Sequence, residues 1–332
     1  MKVEHVPVML EEVLEYLKKT GSSGPIVDAT LGLGGYSEAI LARIEGVNVF
    51  GIDRDPQALT MASERLSPFG KRFIPIKGNF SDLKGLLEDI DGIPVGGVVF
   101  DLGVSNMQIS LPERGFSFRE NGPLDMRMNH EDGGESAADM VRELTAPELS
   151  EIFRKYGEER FAWPIAKSIV RYREKSGPIE DTDTLVEVIR KALPAPVMRK
   201  AKGHPARKVF QALRIAVNKE MDALDEGLNS ALEVISPGGV VVVVSYHSLE
   251  DRIVKWKFRG WKDQGEGTIL TKKALVPSDL EIENNTKSRS AKLRAFAKGQ
   301  TYTGGLSCFS KINSEKTVID LTTSVSEGKK SR

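Results

Sequence analysis

Val27-Asp28-Ala29-Thr30-Leu31-Gly32-Leu33-Gly34-Gly35 is the stretch that most narrows the folds open to this chain. An apolar run breaks directly into a glycine turn, and a second apolar run, Val47 to Ile52, ends in Asp53. That is the opening of a βαβ unit. Glycines let backbone N–H groups approach a ligand closely, and an acidic residue ending the next strand accepts hydrogen bonds from ribose hydroxyls. The pattern points to a nucleoside cofactor; a tight turn beside a solvated Asp is the competing view. A third dinucleotide-type glycine would fall at position 37, where this chain has Ser37, so NAD and FAD are disfavoured. Asp28, just before the turn, is placed to meet a cationic amino-acid group. Both features suit S-adenosylmethionine.

The alternation continues along the chain. Met9 to Leu17 reads as an amphipathic helix, Ile26 to Ala29 as a strand, Tyr36 to Ile44 as a helix, Val47 to Asp53 as a strand and Pro56 to Leu66 as a helix. Phe73 to Ile76, Val98 to Phe100 and the valine run of Gly239 to Ser245 add strands whose continuous apolar character belongs inside a parallel sheet covered on both faces. Between them the pattern turns to charged helices: Ala146 to Lys155, Ala162 to Glu174 and Thr184 to Leu193. The expected organisation is a discontinuous α/β domain, 1–110 and 205–300, a helical insertion, 111–204, for substrate recognition, and a poorly ordered tail, 301–332. Ala206 to Ile235 reads as one long helix, and Leu270 to Val276 and Ala291 to Phe296 as short strands.

Charge and cysteine content exclude some classes. The 47 basic residues equal the 47 acidic ones, so local clusters must carry any nucleic-acid argument. Cys308 is the only cysteine, which excludes a disulfide scaffold and a thiolate metal site; with four scattered histidines, no structural zinc is expected. No signal sequence or long apolar span is visible, which predicts a cytoplasmic protein with no membrane partner.

Strand ends of an open parallel sheet converge on one crevice, so the glycine turn, Asp53, Gly78-Asn79-Phe80 and Asp101 are expected to form one site, with Phe80 against adenine. After Asp101 the chain opens into Leu102-Gly103-Val104-Ser105-Asn106-Met107-Gln108. Asp101, Ser105, Asn106 and Gln108 supply acceptors able to aim an exocyclic amine at a sulfonium carbon, where positioning does most of the catalysis; a capped strand-to-loop turn is the alternative. Methylation at cytosine C5 would need a cysteine nucleophile, and Cys308 lies far along the chain, leaving nitrogen or oxygen as acceptor. Three basic clusters, containing Arg207, Arg252 and Arg289 with Arg294, and the interleaved Trp256, Phe258 and Trp261, suggest a single-stranded RNA surface. His247 and Ser248 leave the valine strand near the crevice: they either grip a nucleotide or cap the next helix, Ser248 as N-cap with Asp251 closing a capping box.

The blocks HVPVM from His5, DATLGLGG, GIDRDP, FDLGVSNMQ, ERGFSF from Glu113, GPLDMRM from Gly122, YGEER from Tyr156, FQALRIAVNKE from Phe210, SYHSLEDRIVK from Ser245 and SRSAKLRA from Ser288 stand in an order that closely resembles the MraW (RsmH) family. The resemblance implies a class I methyltransferase, a Rossmann-like doubly wound sheet with an inserted helical domain. It further implies N4-methylation of a cytidine in small-subunit (16S) ribosomal RNA, at the decoding centre, using S-adenosylmethionine. Carried over by motif, the cofactor contacts are Gly34, Gly35, Tyr36, Asp53, Phe80, Asp101 and Gln108; Asp101, Asn106 and Ser105 are the catalytic candidates. Arg207, His247, Ser248, Arg289 and Arg294 are the RNA-binding candidates, the partner being the RNA or the assembled subunit, with a homodimer open. Tyr36 stands where the family usually has His, Asn106 where it often has Ser, and Asn285-Thr286-Lys287 replaces its usual Asn-Pro-Arg. Two rivals remain: a nicotinamide-dependent oxidoreductase, which the missing third glycine disfavours, and a non-catalytic ribosome-binding module with a vestigial cofactor fold.

Overall fold

The computed structural model describes residues 7–19, 22, 24–130, 133–200 and 203–299; the expected tail lies outside the described residues. Its strands are β1 (Ile26–Asp28), β2 (Val49–Asp53), β3 (Phe73–Lys77), β4 (Val95–Asp101), β5 (Ile235–Ser245), β6 (Gly267–Ile269) and β7 (Lys292–Lys298). The first helices are α1 (Leu10–Lys18), α2 (Gly35–Arg43), α3 (Pro56–Leu66), α4 (Leu83–Glu88) and α5 (Asn106–Ser110). There follow α6 (Ala137–Glu143), α7 (Ala146–Gly157), α8 (Ala162–Ser176), α9 (Thr182–Ala192) and α10 (Ala195–Lys200). The last are α11 (Arg207–Asn218), α12 (Glu220–Val234), α13 (Ser248–Asp263) and α14 (Asp279–Asn284).

All strands join one sheet in the order β3-β2-β1-β4-β5-β7-β6. β1 to β5 are parallel, while β7 runs antiparallel to both β5 and β6. Successive side chains of a strand face opposite ways, so the valine run of β5 serves two cores at once. Val240, Val242 and Val244 join Leu14 and Leu17 of α1, Ile40 of α2 and Leu66 of α3 on one face. Val241 and Val243 join Leu83 of α4, Leu224 and Leu228 of α12 and Phe258 of α13 on the other. This is why the strands read as continuously apolar.

Three expectations about the elements change. Leu270 to Val276 forms no strand, only a bridge from Leu275 to Leu293. Pairing lies just upstream at β6, where a Cβ on Gly267 would sit 2.0 Å from the Ala297 carbonyl, so only glycine lets β7 close in. The long helix expected over Ala206 to Ile235 is two helices, broken at Lys219, which adopts φ 50°. Third, the helical layer has its own core, in which Phe153 of α7, Ile169 of α8 and Ile189 of α9 meet Phe210 and Leu213 of α11. Its apolar contacts therefore extend past the expected limit at His204.

Candidate active site

The glycine turn is a set of backbone constraints. Gly32 and Gly34 adopt φ 50° and 77°, left-handed values that β-carbon sterics disfavour, and Gly34 caps α2. Asp53, at the tip of β2, holds the turn: its Oδ2 accepts the Gly32 N–H at 2.8 Å and its Oδ1 the Asp55 N–H at 2.9 Å. Burial raises the Asp53 pKa above the usual carboxylate value despite these bonds. Asp28 does not reach the ligand space expected of it. It is buried behind the turn, where Ser37 Oγ donates to its Oδ2 at 2.7 Å, and burial with the nearby Asp53 charge lifts its pKa to about 6. It is not among the residues that line the cavity in front of the turn.

In front of the turn lies a cavity of about 350 Å³. Gly32, Gly35, Tyr36, Asp53, Phe80, Asp101 and Gln108 all line it, so Asp53 and Asp101 open onto the same space. Gly34 sits just behind, packed toward Leu66. Phe80 is fixed edge-on to Phe100, ring centroids 5.6 Å apart. The buried Tyr36 hydroxyl donates to the Val8 carbonyl, which fastens the Pro7-Val8 segment along the cavity wall. These residues fit an adenosine-bearing cofactor: a carboxylate for the ribose, an aromatic edge and a backbone cradle without side chains.

The far end of the cavity is polar. Asp101 Oδ1 accepts the Tyr246 hydroxyl at 2.6 Å, and the Asp101 N–H donates to Thr30 Oγ1 at 2.6 Å. Burial pushes the Asp101 pKa up to about 7, reinforced by the charges of Asp28 and Glu250, while the Tyr246 bond and Lys287 at the rim pull the other way. Burial beside that carboxylate raises the Tyr246 phenol. Glu250 and Arg214 also line the cavity. Glu250 Oε2 accepts the Tyr246 and His247 N–H groups at 2.8 and 3.2 Å.

The loop after β4 is mostly built for itself. Ser105 caps α5 by accepting the Gln108 N–H, and Gln108 Oε1 accepts the Ser105 N–H in return, a capping box. The hydroxyl of Ser105, a catalytic candidate, accepts this helix bond, and Ser105 also lines the cavity. Gln108 Nε2 donates to Asp55 Oδ2 at 3.3 Å. Asn106 is the first residue of α5, and its side chain lies outside the described part of the structure.

His247, not Ser248, is the N-cap of α13: its Nδ1 accepts the Glu250 N–H at 3.4 Å, and Glu250 rather than Asp251 completes the box. His247 Nε2 is 3.0 Å from Glu250 Oε1 but off the hydrogen-bond line, an electrostatic contact only. Ser248 is exposed and outside the cavity. Ligand-type atoms of Glu220, His247 and Glu250 lie within 4.8 Å of one another, but the Arg214 guanidinium already sits across both Glu220 oxygens.

The basic clusters divide. Arg207 and Arg289 are exposed, whereas Arg294 bonds Asp251 Oδ1 at 2.7 Å and Lys292 takes Oδ2 at 2.9 Å. Of the interleaved aromatics only Trp256 is exposed, with Lys255 and Arg259 each 5.5 Å from its ring centre; Phe258 and Trp261 are core. Tyr246, Arg214 and Glu250 were missed as site residues. Two of them stand in SYHSLEDRIVK and the third in FQALRIAVNKE, yet nothing in the spacing tells which side chains turn toward a cavity.

A dinucleotide enzyme of this strand order would continue with a parallel sixth strand and a third turn glycine; here an antiparallel β7 slips between β5 and β6, and Ser37 bonds Asp28 instead. With a nucleoside-type cavity at the carboxyl ends of the strands, that arrangement is a class I methyltransferase. Residues 2–299 match the model of the MraW methylase family, and the chain belongs to that family. A curated relative, ribosomal RNA small subunit methyltransferase H of Carboxydothermus hydrogenoformans, is 47% identical over 314 residues, 90% of this chain and 99% of the relative. Two solved structures align loosely. An rRNA methylase from Streptococcus thermophilus is 14% identical, covers 89% of this chain and 99% of its own, and has a TM-score of 0.41. A Streptococcus mutans methyltransferase in complex with SAH is 12% identical, with the same coverage and a TM-score of 0.42. Similarities this loose say nothing of substrate, and family membership stands on the sequence match.

Proposed function

We propose that this protein transfers a methyl group from S-adenosylmethionine to the N4 amine of a cytidine in 16S ribosomal RNA, at the decoding centre, in the cytoplasm. The supporting observation is the single cavity that holds a cofactor-type half, Asp53 with the glycine turn, and a polar half, Asp101 with Tyr246. The bound cofactor supplies a methyl group on a sulfonium, whose S–CH3 bond breaks as N4–CH3 forms, leaving a neutral thioether. Asp101 accepts an N4 hydrogen, orienting the amine, and then takes the proton that the methylated nitrogen sheds. A carboxyl pKa of about 7 suits that exchange near neutrality. The helical layer, 111–204 extended through α11, forms with exposed Arg207, Arg289 and Trp256 the RNA-gripping surface. Among the described residues no helix is long and apolar enough to cross a membrane.

The test is to incubate unmethylated small subunits, and separately their naked RNA, with enzyme and S-adenosylmethionine and map the RNA by mass spectrometry. One added methyl on a cytidine N4 is expected, lost in Asp101→Ala while S-adenosylhomocysteine still stabilises the variant against heat. Modification at another atom, or full activity of Asp101→Ala, refutes the reading. Absence of any thermal stabilisation of the wild-type chain would favour the non-catalytic module.

A further inference from the structure

Arg214 is a buried cation for which the chemistry above has no use. Its Nε and Nη2 donate to the two carboxylate oxygens of Glu220, each at 2.8 Å. Only 15% of its side chain and 11% of that of Glu220 is exposed, and Arg214 is among the residues that line the cavity. Among the described residues neither Nη1 nor the second hydrogen of Nη2 meets a protein acceptor. A guanidinium so placed has donors left over and a fixed direction.

The local fold is arranged to hold it there. On one continuous helix, residues 214 and 220 would occupy different faces. Left-handed Lys219 ends α11 and starts α12, which brings Glu220 back across Arg214. Asn218 braces the same corner: its Nδ2 donates to the Arg214 and Met126 carbonyls, and its Oδ1 accepts the Met128 N–H at 2.8 Å. Met128 and Val104 supply apolar wall to the same cavity.

One edge of cytosine presents a donor, N4–H, beside two acceptors, N3 and O2. Uracil reverses the first two. A cavity with a carboxylate acceptor at one point and a guanidinium with spare N–H groups at another matches cytosine in order and sign, whereas uracil N3–H would face a donor. We infer that Arg214, held by Glu220, reads the N3 and O2 positions of the target pyrimidine while Asp101 takes N4–H. This rests on the proposed cytidine-N4 reaction and assigns its base selectivity to a residue outside the β4 loop.

The experiment compares small subunits reconstituted with cytidine or 3-deazacytidine, in which N3 becomes C–H, at the modified position. Single-turnover rates are measured for wild type, Arg214→Met and Glu220→Gln, with S-adenosylhomocysteine affinity measured by calorimetry. For the wild type the deaza substrate is slower by about 100-fold, the scale set by leaving one buried charged donor without its acceptor. Arg214→Met loses a similar factor on cytidine, loses little more on 3-deazacytidine and binds S-adenosylhomocysteine as the wild type does. Glu220→Gln, which preserves the side-chain shape, gives a smaller loss that is also non-additive. If the two losses multiply, or cofactor affinity falls in parallel with rate, Arg214 is a structural member of the wall and the inference is overturned. Equal wild-type rates on both substrates overturn it too. Failure of the wild type to methylate cytidine at all would strike the reaction assignment itself, a distinguishable result.

Discussion

Replacing Arg114 by Met should be among the most damaging single changes in the molecule, although Arg114 touches no ligand space. Its Nη1 lies 3.0 Å from Asp55 Oδ2, with 6% and 2% of the two side chains exposed. Its Nη2 also donates to the Met128 carbonyl at 2.7 Å and the Arg127 carbonyl at 3.3 Å. Asp55 in turn caps α3 by accepting the Gln57 N–H, and its own N–H is held by Asp53. The pair therefore ties the loop carrying Met128, a wall of the substrate end, to the carboxylate that holds the glycine turn. Removing one partner strands a buried carboxylate, a cost of about 3–5 kcal/mol, and leaves two carbonyls short of a donor. Loosening Asp55 should also weaken S-adenosylhomocysteine binding by about tenfold, or ~1.4 kcal/mol. Urea unfolding followed by tryptophan fluorescence and far-UV dichroism gives the stability, coincident transitions checking that one step is measured. Asp55→Asn keeps a good capping residue without the charge, so the double variant Asp55→Asn/Arg114→Met should be more stable than Arg114→Met alone by at least about 1 kcal/mol. A loss under about 0.5 kcal/mol for Arg114→Met, against the 3–5 kcal/mol of a broken buried pair, or strict additivity in the double variant, would refute this account.

Two further outcomes follow from the site. Because Asp101 must be ionised to take a proton and titrates at about 7, the single-turnover rate should fall as pH drops below that value and level off above it. Tyr246→Phe removes a bond that favours the carboxylate, so the break moves to higher pH; a profile flat from pH 5.5 to 8.5 in both enzymes, a range spanning about 1.5 units on either side of that pKa, would exclude Asp101 as the acceptor. Asp53→Asn keeps one acceptor oxygen and turns a donor toward a backbone N–H, leaving the Gly32 or Asp55 amide unpaired at a cost of about 1–3 kcal/mol. Calorimetry should then show S-adenosylhomocysteine binding at least about tenfold weaker, and unchanged affinity would mean the carboxylate does not shape the turn.

Much of the α/β half was legible in the sequence because a strand buried on both faces cannot hide its composition: the runs over β1, β2, β4 and β5 admit few polar residues. The turn end of the cavity was legible for a related reason, since its parts sit at strand ends and strand ends are marked by a glycine or an acid. Capping was harder. Ser248 looks like an N-cap and His247 does not, yet α13 starts one residue earlier than that pattern suggests, with Ser248 already its first residue, and Glu250 closes the box. The aromatic interleaving of α13 was misleading because three rings within six residues of a helix point to different sides: Trp256 outward, Phe258 and Trp261 into the core.

Local chemistry along the chain, read by itself, marked β1 to β5 and β7, the glycine turn, the strand-end acids Asp53 and Asp101 and, through ten ordered blocks, the family. Those are short-range properties, set by side-chain volume, polarity and backbone freedom within a few residues. The substrate end was decided only in three dimensions. Tyr246 reaches Asp101, Arg114 reaches Asp55, and Glu220 reaches Arg214 only because Lys219 breaks a helix that its neighbours would have continued. Pairings of that kind depend on which sheet edge and which helix end come to lie together, and sequence separation carries no trace of it.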